Sequence, residues 1–152
     1  MTFWESLCSN EVLVSALTGW VVAQVLKTII DFSINKSFTP ERLVGSGGMP
    51  SSHSATVCGL TTSAGLCYGV SSFEFAISFV LSAVVMYDAI GVRQETGKQA
   101  KILNLIMEED FFMLDNVHIQ KRLKEFVGHT PLQVLAGAVL GILLALWIHS
   151  LY

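Results

Sequence analysis

Apolar residues in this chain run in four long blocks, each closed by a polar, glycine-bearing or charged segment, rather than in short alternating or one-sided patterns. The blocks are Val12 to Ile30, Ser54 to Val70, Phe73 to Val92 and Pro131 to Leu151. Each approaches the roughly 20 apolar residues that a helix needs to cross hydrocarbon. The second is the shortest and is rich in Gly, Ser and Thr.

The two long connections differ in pattern. Asp31 to Pro50 carries Pro40 and glycines 45, 47 and 48 and ends in a tight turn. Arg93 to Thr130 has helical periodicity instead. Ala100, Leu103, Ile106 and Met107 recur at helical spacing until the acidic run Glu108, Glu109, Asp110 ends the pattern. Ile119, Leu123, Phe126 and Val127 make a second apolar stripe, Lys121 and Glu125 pair at i,i+4 on another face, and Gly128 is a helix stop. Both stretches predict helices lying along a membrane or folded over a site. The expected architecture is an all-α integral membrane protein, one domain over residues 1–152. It has four transmembrane helices, with short interfacial helices between the third and fourth.

Composition agrees with this reading. Hydrophobic residues are 52% and charged residues 14% of the 152, against about 25% charge in a soluble domain, and mean hydropathy is +0.58. The first block lacks the basic start and small-residue cleavage site of a signal peptide, so it is expected to stay as a helix. Cys8, Cys58 and Cys67 are odd in number, and the last two sit about 13 Å apart along one predicted helix, beyond disulfide reach. No C-x-x-C spacing occurs. Gly65-x-x-x-Gly69 and Gly137-x-x-x-Gly141 predict close helix contacts within the chain or between copies of it, so a homo-oligomer is one partner expectation. The bilayer and a membrane lipid are the others; a nucleic-acid partner is not expected.

Where the cations fall matters more than their number. Four spans carry the chain alternately between two membrane faces, and every lysine and arginine then lies on one of them. Lys27 ends the first span; Lys36 and Arg42 follow it; Arg93, Lys98, Lys101, Lys121, Arg122 and Lys124 precede the fourth. The positive-inside rule makes that face cytoplasmic and puts both termini outside a multi-pass plasma-membrane protein.

Two runs on that face carry chemistry. Gly47-Gly48-Met49-Pro50-Ser51-Ser52-His53-Ser54 is a glycine turn leading into a helix predicted to start near Ser51. Backbone amides and the positive helix end favour an anion there, and an imidazole can give a proton to a leaving oxygen. In Gly128-His129-Thr130-Pro131, Thr130 is a good N-cap and Pro131 suits the first helical position, so His129 stands just outside a second helix start. A single histidine there reads as an incidental polar residue; two on one face, each beside a helix start, point to phosphate chemistry. Asp88, Arg93, Glu95 and Lys98 gather at the end of the third span, where glycines 91 and 97 are expected to break the helix and turn them toward the histidines. They read either as a phosphate-holding group or as a cluster of ion pairs at the membrane edge.

Three runs resemble the type 2 phosphatidic acid phosphatase superfamily, which includes the vanadium-dependent haloperoxidases, and its small divergent membrane branch above all. They are Gly47 to Ala55, Tyr87 to Ala100 and Leu123 to Val134, with Gly137 and Gly141 following. The resemblance implies a helical bundle in which one histidine attacks phosphorus, a second protonates the leaving group, and lysine and arginine hold the phosphate oxygens. By this likeness His129 matches the nucleophile and His53 the general acid, Ser51 and the Ser52 amide are phosphate ligands, and Lys27 matches the lysine of the first motif. The Arg-Pro pair expected after that lysine is replaced by Ile34 and Asn35, which leaves Arg42 as a candidate substitute. An expected arginine and aspartate flanking the nucleophile are replaced by Leu123 and Gln133.

Gln133 can orient an imidazole through a hydrogen bond but cannot stabilise its cation as a carboxylate does. Glu125 or Asp88 are candidates for that charge, and Arg93 and Lys98 for the missing cations. The implied activity is hydrolysis of a lipid phosphomonoester or diphosphate, of the phosphatidic acid, phosphatidylglycerophosphate or polyprenyl phosphate class, through a phosphohistidine. No metal or cofactor is required, with Mg²⁺ on Asp88 and Glu95 as a lesser alternative. The competing reading is a non-catalytic protein that keeps the anion pocket to bind a phospholipid headgroup or support a partner. A transporter has little support, since no inverted repeat or interrupted apolar helix is seen.

Overall fold

The computed structural model describes residues 2–36, 48–108, 123 and 128–152. Among these, six helices and no strands occur: α1 (Phe3–Cys8), α2 (Glu11–Asn35), α3 (Ser52–Tyr68), α4 (Phe73–Ile90), α5 (Val92–Glu108) and α6 (Pro131–His149). Each predicted apolar block became a helix because each has a polar N-cap at its entrance. Asn10, Ser51, Ser72 and Thr130 accept the otherwise unpaired amides of the first turns of α2, α3, α4 and α6.

Among the described residues, three stretches are long and apolar enough to cross a membrane: Glu11–Ile34, Phe73–Ile106 and Pro131–His149. The second of the four expected spans corresponds to α3, which at 17 residues is shorter and more polar than the others. It runs through the middle of the bundle, packed against α2, α4 and α6. A helix covered by protein need not be apolar, and α3 buries Ser52, Ser54, Ser63, Gly59 and Ala55.

The packing is inverted relative to a water-soluble bundle. The buried apolar residues are mostly small, such as Ala16, Ala23, Ala55, Ala64 and Ala145, while Leu17, Val84, Leu135 and Leu143 are exposed. Lipid offers large side chains as good an environment as a core does, so close approach of backbones decides which faces pack. A methyl group on Gly137 would collide with the Ser51 carbonyl, and one on Gly141 with that of Ala55. On the opposite side, a methyl on Gly19 would lie 2.8 Å from the same Ala55 oxygen. Gly137-x-x-x-Gly141 is therefore consumed inside the chain and is not a contact between copies. In the other predicted pair, Gly65 packs on the Phe75 ring, whereas Gly69 caps α3 at φ +85° and a methyl group there would meet nothing within 4 Å.

These contacts set directions: α3 and α6 run parallel, and α2 and α4 run against them. The N-termini of α3 and α6 consequently meet at one end of the bundle. At the other end, the Tyr152 hydroxyl donates to the Cys8 carbonyl at 2.7 Å, joining the two terminal segments.

The region after α4 departs from expectation in two ways. Gly91 does interrupt the helix, but Gly97 lies within α5 and does not break it. The inward face of α5 is Gly97, Ala100 and Asn104, whereas Leu103 and Ile106 are exposed. Asn104 explains this inversion: its amide bonds both the N–H and the C=O of Leu123, each at 2.9 Å, and so turns toward protein. The rest of the predicted second interfacial helix, including Ile119, Lys121, Glu125, Phe126 and Val127, lies outside the described residues, as does Arg42.

Candidate active site

The site is assembled by three backbone segments bonded to one another. Ser51 N–H donates to the Gln133 carbonyl at 3.0 Å, tying the entrance of α3 to the first turn of α6. His129 N–H donates to the Ala89 carbonyl at 3.0 Å, tying the turn before α6 to the last turn of α4. Gly128, at φ +98°, lies so close to the Arg93–Gln94 peptide that a methyl group would come within 2.6 Å of it. Glycine is required there for both conformation and space.

This bonding brings together His53 and His129, which are remote in sequence: their ring centroids are 6.3 Å apart with the planes at 60°. His129 is buried and His53 half-buried. Gln133 fixes the His129 ring. Its Oε1 accepts the Thr130 N–H at 3.1 Å, completing a capping box, and lies 3.2 Å from His129 Nδ1. Because the backbone N–H can only donate, the glutamine atom facing it is the oxygen, and Nδ1 carries the proton that bonds it. That leaves Nε2 as the nitrogen with a lone pair to offer.

Lys27 comes up from α2 beneath the turn at Gly48. It is 2% exposed, and a methyl on Gly48, which sits at φ +82°, would lie 3.0 Å from its Cγ. The glycine thus lets the turn close over the lysine stem. Lys27 and Arg93 act electrostatically on both imidazoles, and Asp88 acts on His53. The His129 pKa is held below the ordinary imidazole value, chiefly by burial, with the nearby Lys27 and Arg93 charges adding to the effect. The hydrogen bond to Gln133 and the nearby Gly48 backbone oppose it.

Arg93 pairs with Asp88 through Nε at 2.6 Å, so its two terminal nitrogens are not used by that carboxylate. Lys98 is different. It pairs with Glu95 at 2.7 Å with both side chains largely exposed, and five residues of helix turn it about 140° away from Arg93. Among the expected phosphate ligands, then, Lys27 and Arg93 stand by the imidazoles and Lys98 does not. The two carboxylates named for Mg²⁺, Asp88 and Glu95, are paired with Arg93 and Lys98 respectively. Ser51 and Ser52 are buried at the α3 entrance, where the Ser51 hydroxyl accepts from the Ser54 amide and hydroxyl. The Ser52 and His53 amides, in the first turn, have no intrahelical acceptor. Of the candidates for the missing carboxylate at His129, Asp88 acts on His53 instead and Glu125 is outside the described residues. Sequence reasoning missed the anchoring carbonyl of Ala89, for which an alanine carries no signal.

Comparison with known proteins bears on what this arrangement is. A profile of the Divergent PAP2 family matches residues 8–144. The chain belongs to that family. It is also 38% identical over 149 residues to the uncharacterized membrane protein YuiD of Bacillus subtilis (strain 168), covering 92% of this chain and 94% of that one. No solved structure matches it. As a membrane protein of the Divergent PAP2 family, it carries His53 and His129 side by side on a helical bundle, with Gln133 bonded to the His129 ring.

Proposed function

We propose that this protein is a membrane lipid-phosphate phosphatase that works through a phosphohistidine. The reading rests on one observation: two imidazoles brought within 6.3 Å of each other between two helix N-termini, with one buried lysine and one arginine acting on both. A dianionic phosphate suits such a place, because helix ends, amides and cations all favour negative charge. His129 Nε2 attacks phosphorus while His53 gives its proton to the leaving lipid oxygen, so the P–O bond breaks as the P–N bond forms. Lys27 and Arg93 take up charge on the remaining oxygens. Water then attacks the phosphohistidine, His53 accepts its proton, and the P–N bond breaks to release inorganic phosphate and restore His129. The surrounding lipid-facing helices let the substrate's tail stay in the bilayer, which favours phosphatidic acid, phosphatidylglycerophosphate or a polyprenyl phosphate. The cation-rich end of the bundle is assigned to the cytoplasmic face of the plasma membrane.

One observation favours a second reading, a headgroup-binding protein without turnover: Gln133 is neutral where a carboxylate would stabilise the His129 cation. A single assay separates the two. Purified protein is given a panel of lipid phosphates, and phosphate release is compared between wild type and His129→Ala. Release that falls by about 10²-fold or more in the variant supports the enzyme. Equal background release, with saturable lipid binding retained, supports the binding reading.

A further inference from the structure

At the end of the bundle opposite the imidazoles, three metal-ligating side chains from three different helices converge. Glu11 opens α2, Cys67 lies in the last turn of α3, and His149 ends α6. One ligand atom from each lies within 4.8 Å of the others. We propose that Glu11, Cys67 and His149 form a binding site for a late first-row divalent ion, with Zn²⁺ the best match.

The donor set selects the ion. A thiolate, an imidazole nitrogen and a carboxylate oxygen suit Zn²⁺ and its neighbours, whereas Mg²⁺ and Ca²⁺ take oxygen ligands alone. Tetrahedral zinc with ordinary bond lengths holds its ligand atoms roughly 3.5 Å apart, so closing the site takes only small side-chain rotations. His149 Nδ1 and Glu11 Oε1 already stand 2.9 Å apart. The ion replaces the proton they share, and the Cys67 thiol releases its own proton to water as the metal–sulfur bond forms. Ser63, fully buried, donates to Glu11 Oε1 at 3.2 Å and lies 3.9 Å from Cys67 Sγ, as an outer-shell partner that orients two ligands.

Three protein ligands leave a fourth position open. Glu11 and Cys67 line a cavity of about 350 Å³ together with Ser6, Ser9 and Tyr152, which leaves room there for a water as the fourth ligand. An ordinary ion pair accounts for Glu11 and His149, but not for a cysteine completing the triangle with a serine between. A bound ion would fasten the ends of α2, α3 and α6, some 28 Å along α6 from His129 by helical rise.

The test uses untagged full-length protein in detergent, stripped with chelator and titrated with Co²⁺ as a spectroscopic substitute. One equivalent should produce a thiolate-to-cobalt charge-transfer band that Zn²⁺ abolishes by displacement. Cys67→Ser should lose the band, while Cys8→Ser, Cys58→Ser and His129→Ala keep it. Glu11→Gln and His149→Ala should weaken binding more than tenfold, since losing an outer-shell partner alone typically costs about 10–100-fold. Ser63→Ala should weaken it by about tenfold. Absence of the band in wild type, or its persistence in Cys67→Ser, overturns the proposal. Because a variant can fail to fold, maleimide labelling of wild-type protein provides an independent check. Zn²⁺ should protect Cys67 and leave Cys8 reactive; equal labelling of Cys67 with and without Zn²⁺ overturns the proposal as well.

Discussion

His129 is constrained by what surrounds it on every side. Its amide is fixed to Ala89, its Nδ1 to Gln133, and the residue is buried, so the ring has little freedom except to present Nε2. Its depressed pKa has a definite consequence for pH. A neutral nucleophile persists below the ordinary imidazole value of about 6.5, so the acid limb of kcat/KM should lie on the acid side of that value. The same shift means that the unfolded chain binds the proton more readily than the folded one. Stability is therefore full above about 6.5 and declines as pH falls below it. His129→Gln should reduce that decline in thermal unfolding measured across the range. Gln133→Glu keeps the reach of the side chain and adds the charge that the glutamine lacks. An opposite charge at this distance raises an imidazole pKa by about 1–3 units. The acid limb should move to higher pH and kcat should rise, while Gln133→Leu should lower kcat and leave KM nearly unchanged. An acid limb indifferent to Gln133→Glu would mean that His129 is not the titrating group.

Helix α3 holds the site in place, and its glycine contacts show how. Gly137 has the Ser51 backbone against it, and Ser51 is two residues from His53. Gly137→Ala must push two backbones apart, because neither the helix nor the N-cap can yield locally; overpacking of this kind costs about 1–3 kcal/mol. The expected result is a lower unfolding temperature together with reduced phosphate release. Gly65→Ala meets only the edge of the Phe75 ring at 3.1 Å, a side chain that can rotate, and should cost less in both measurements. Equal effects from the two variants would show that α3–α6 contact does not govern the site. Much at this scale was legible beforehand. Ser51 and Thr130 announce their helices because a hydroxyl before an apolar run has an amide to cap, and Pro131 suits the first turn. The orientation of α5 was not legible. Leu103 and Ile106 have the spacing of a core face, yet they are exposed while Asn104 turns inward. Apolar periodicity finds the face that avoids water, and in a membrane protein that face meets lipid as readily as protein.

At the scale of the whole molecule the bundle has two chemically different ends, and sequence showed only one of them. The histidine turns sit in loops whose glycines, hydroxyls and helix starts advertise them. Glu11, Cys67 and His149 lie at helix ends far apart in the chain, and only the packing of α2, α3 and α6 makes them neighbours. The two-ended layout also makes orientation testable. Tyr152 and Cys8 are hydrogen-bonded, so the described terminal segments share an end, opposite to Lys27, Lys36, Arg93, Lys98 and Lys101. If loop cations set the insertion direction, a reporter fused after Tyr152 should read as extracytoplasmic: an alkaline phosphatase fusion active, a fluorescent-protein fusion dark. Part of the cation bias comes from Lys27 and Arg93, which have a chemical reason to be where they are. Lys36 and Lys101 have none at the imidazoles, so their charges can be removed without touching the site. Lys36→Gln with Lys101→Gln should therefore leave phosphate release by correctly inserted protein unchanged while raising the fraction of chains whose C-terminal reporter stays in the cytoplasm. A C-terminal reporter found inside in the wild type would place the histidines at the outer leaflet and reverse the side from which a lipid phosphate is taken.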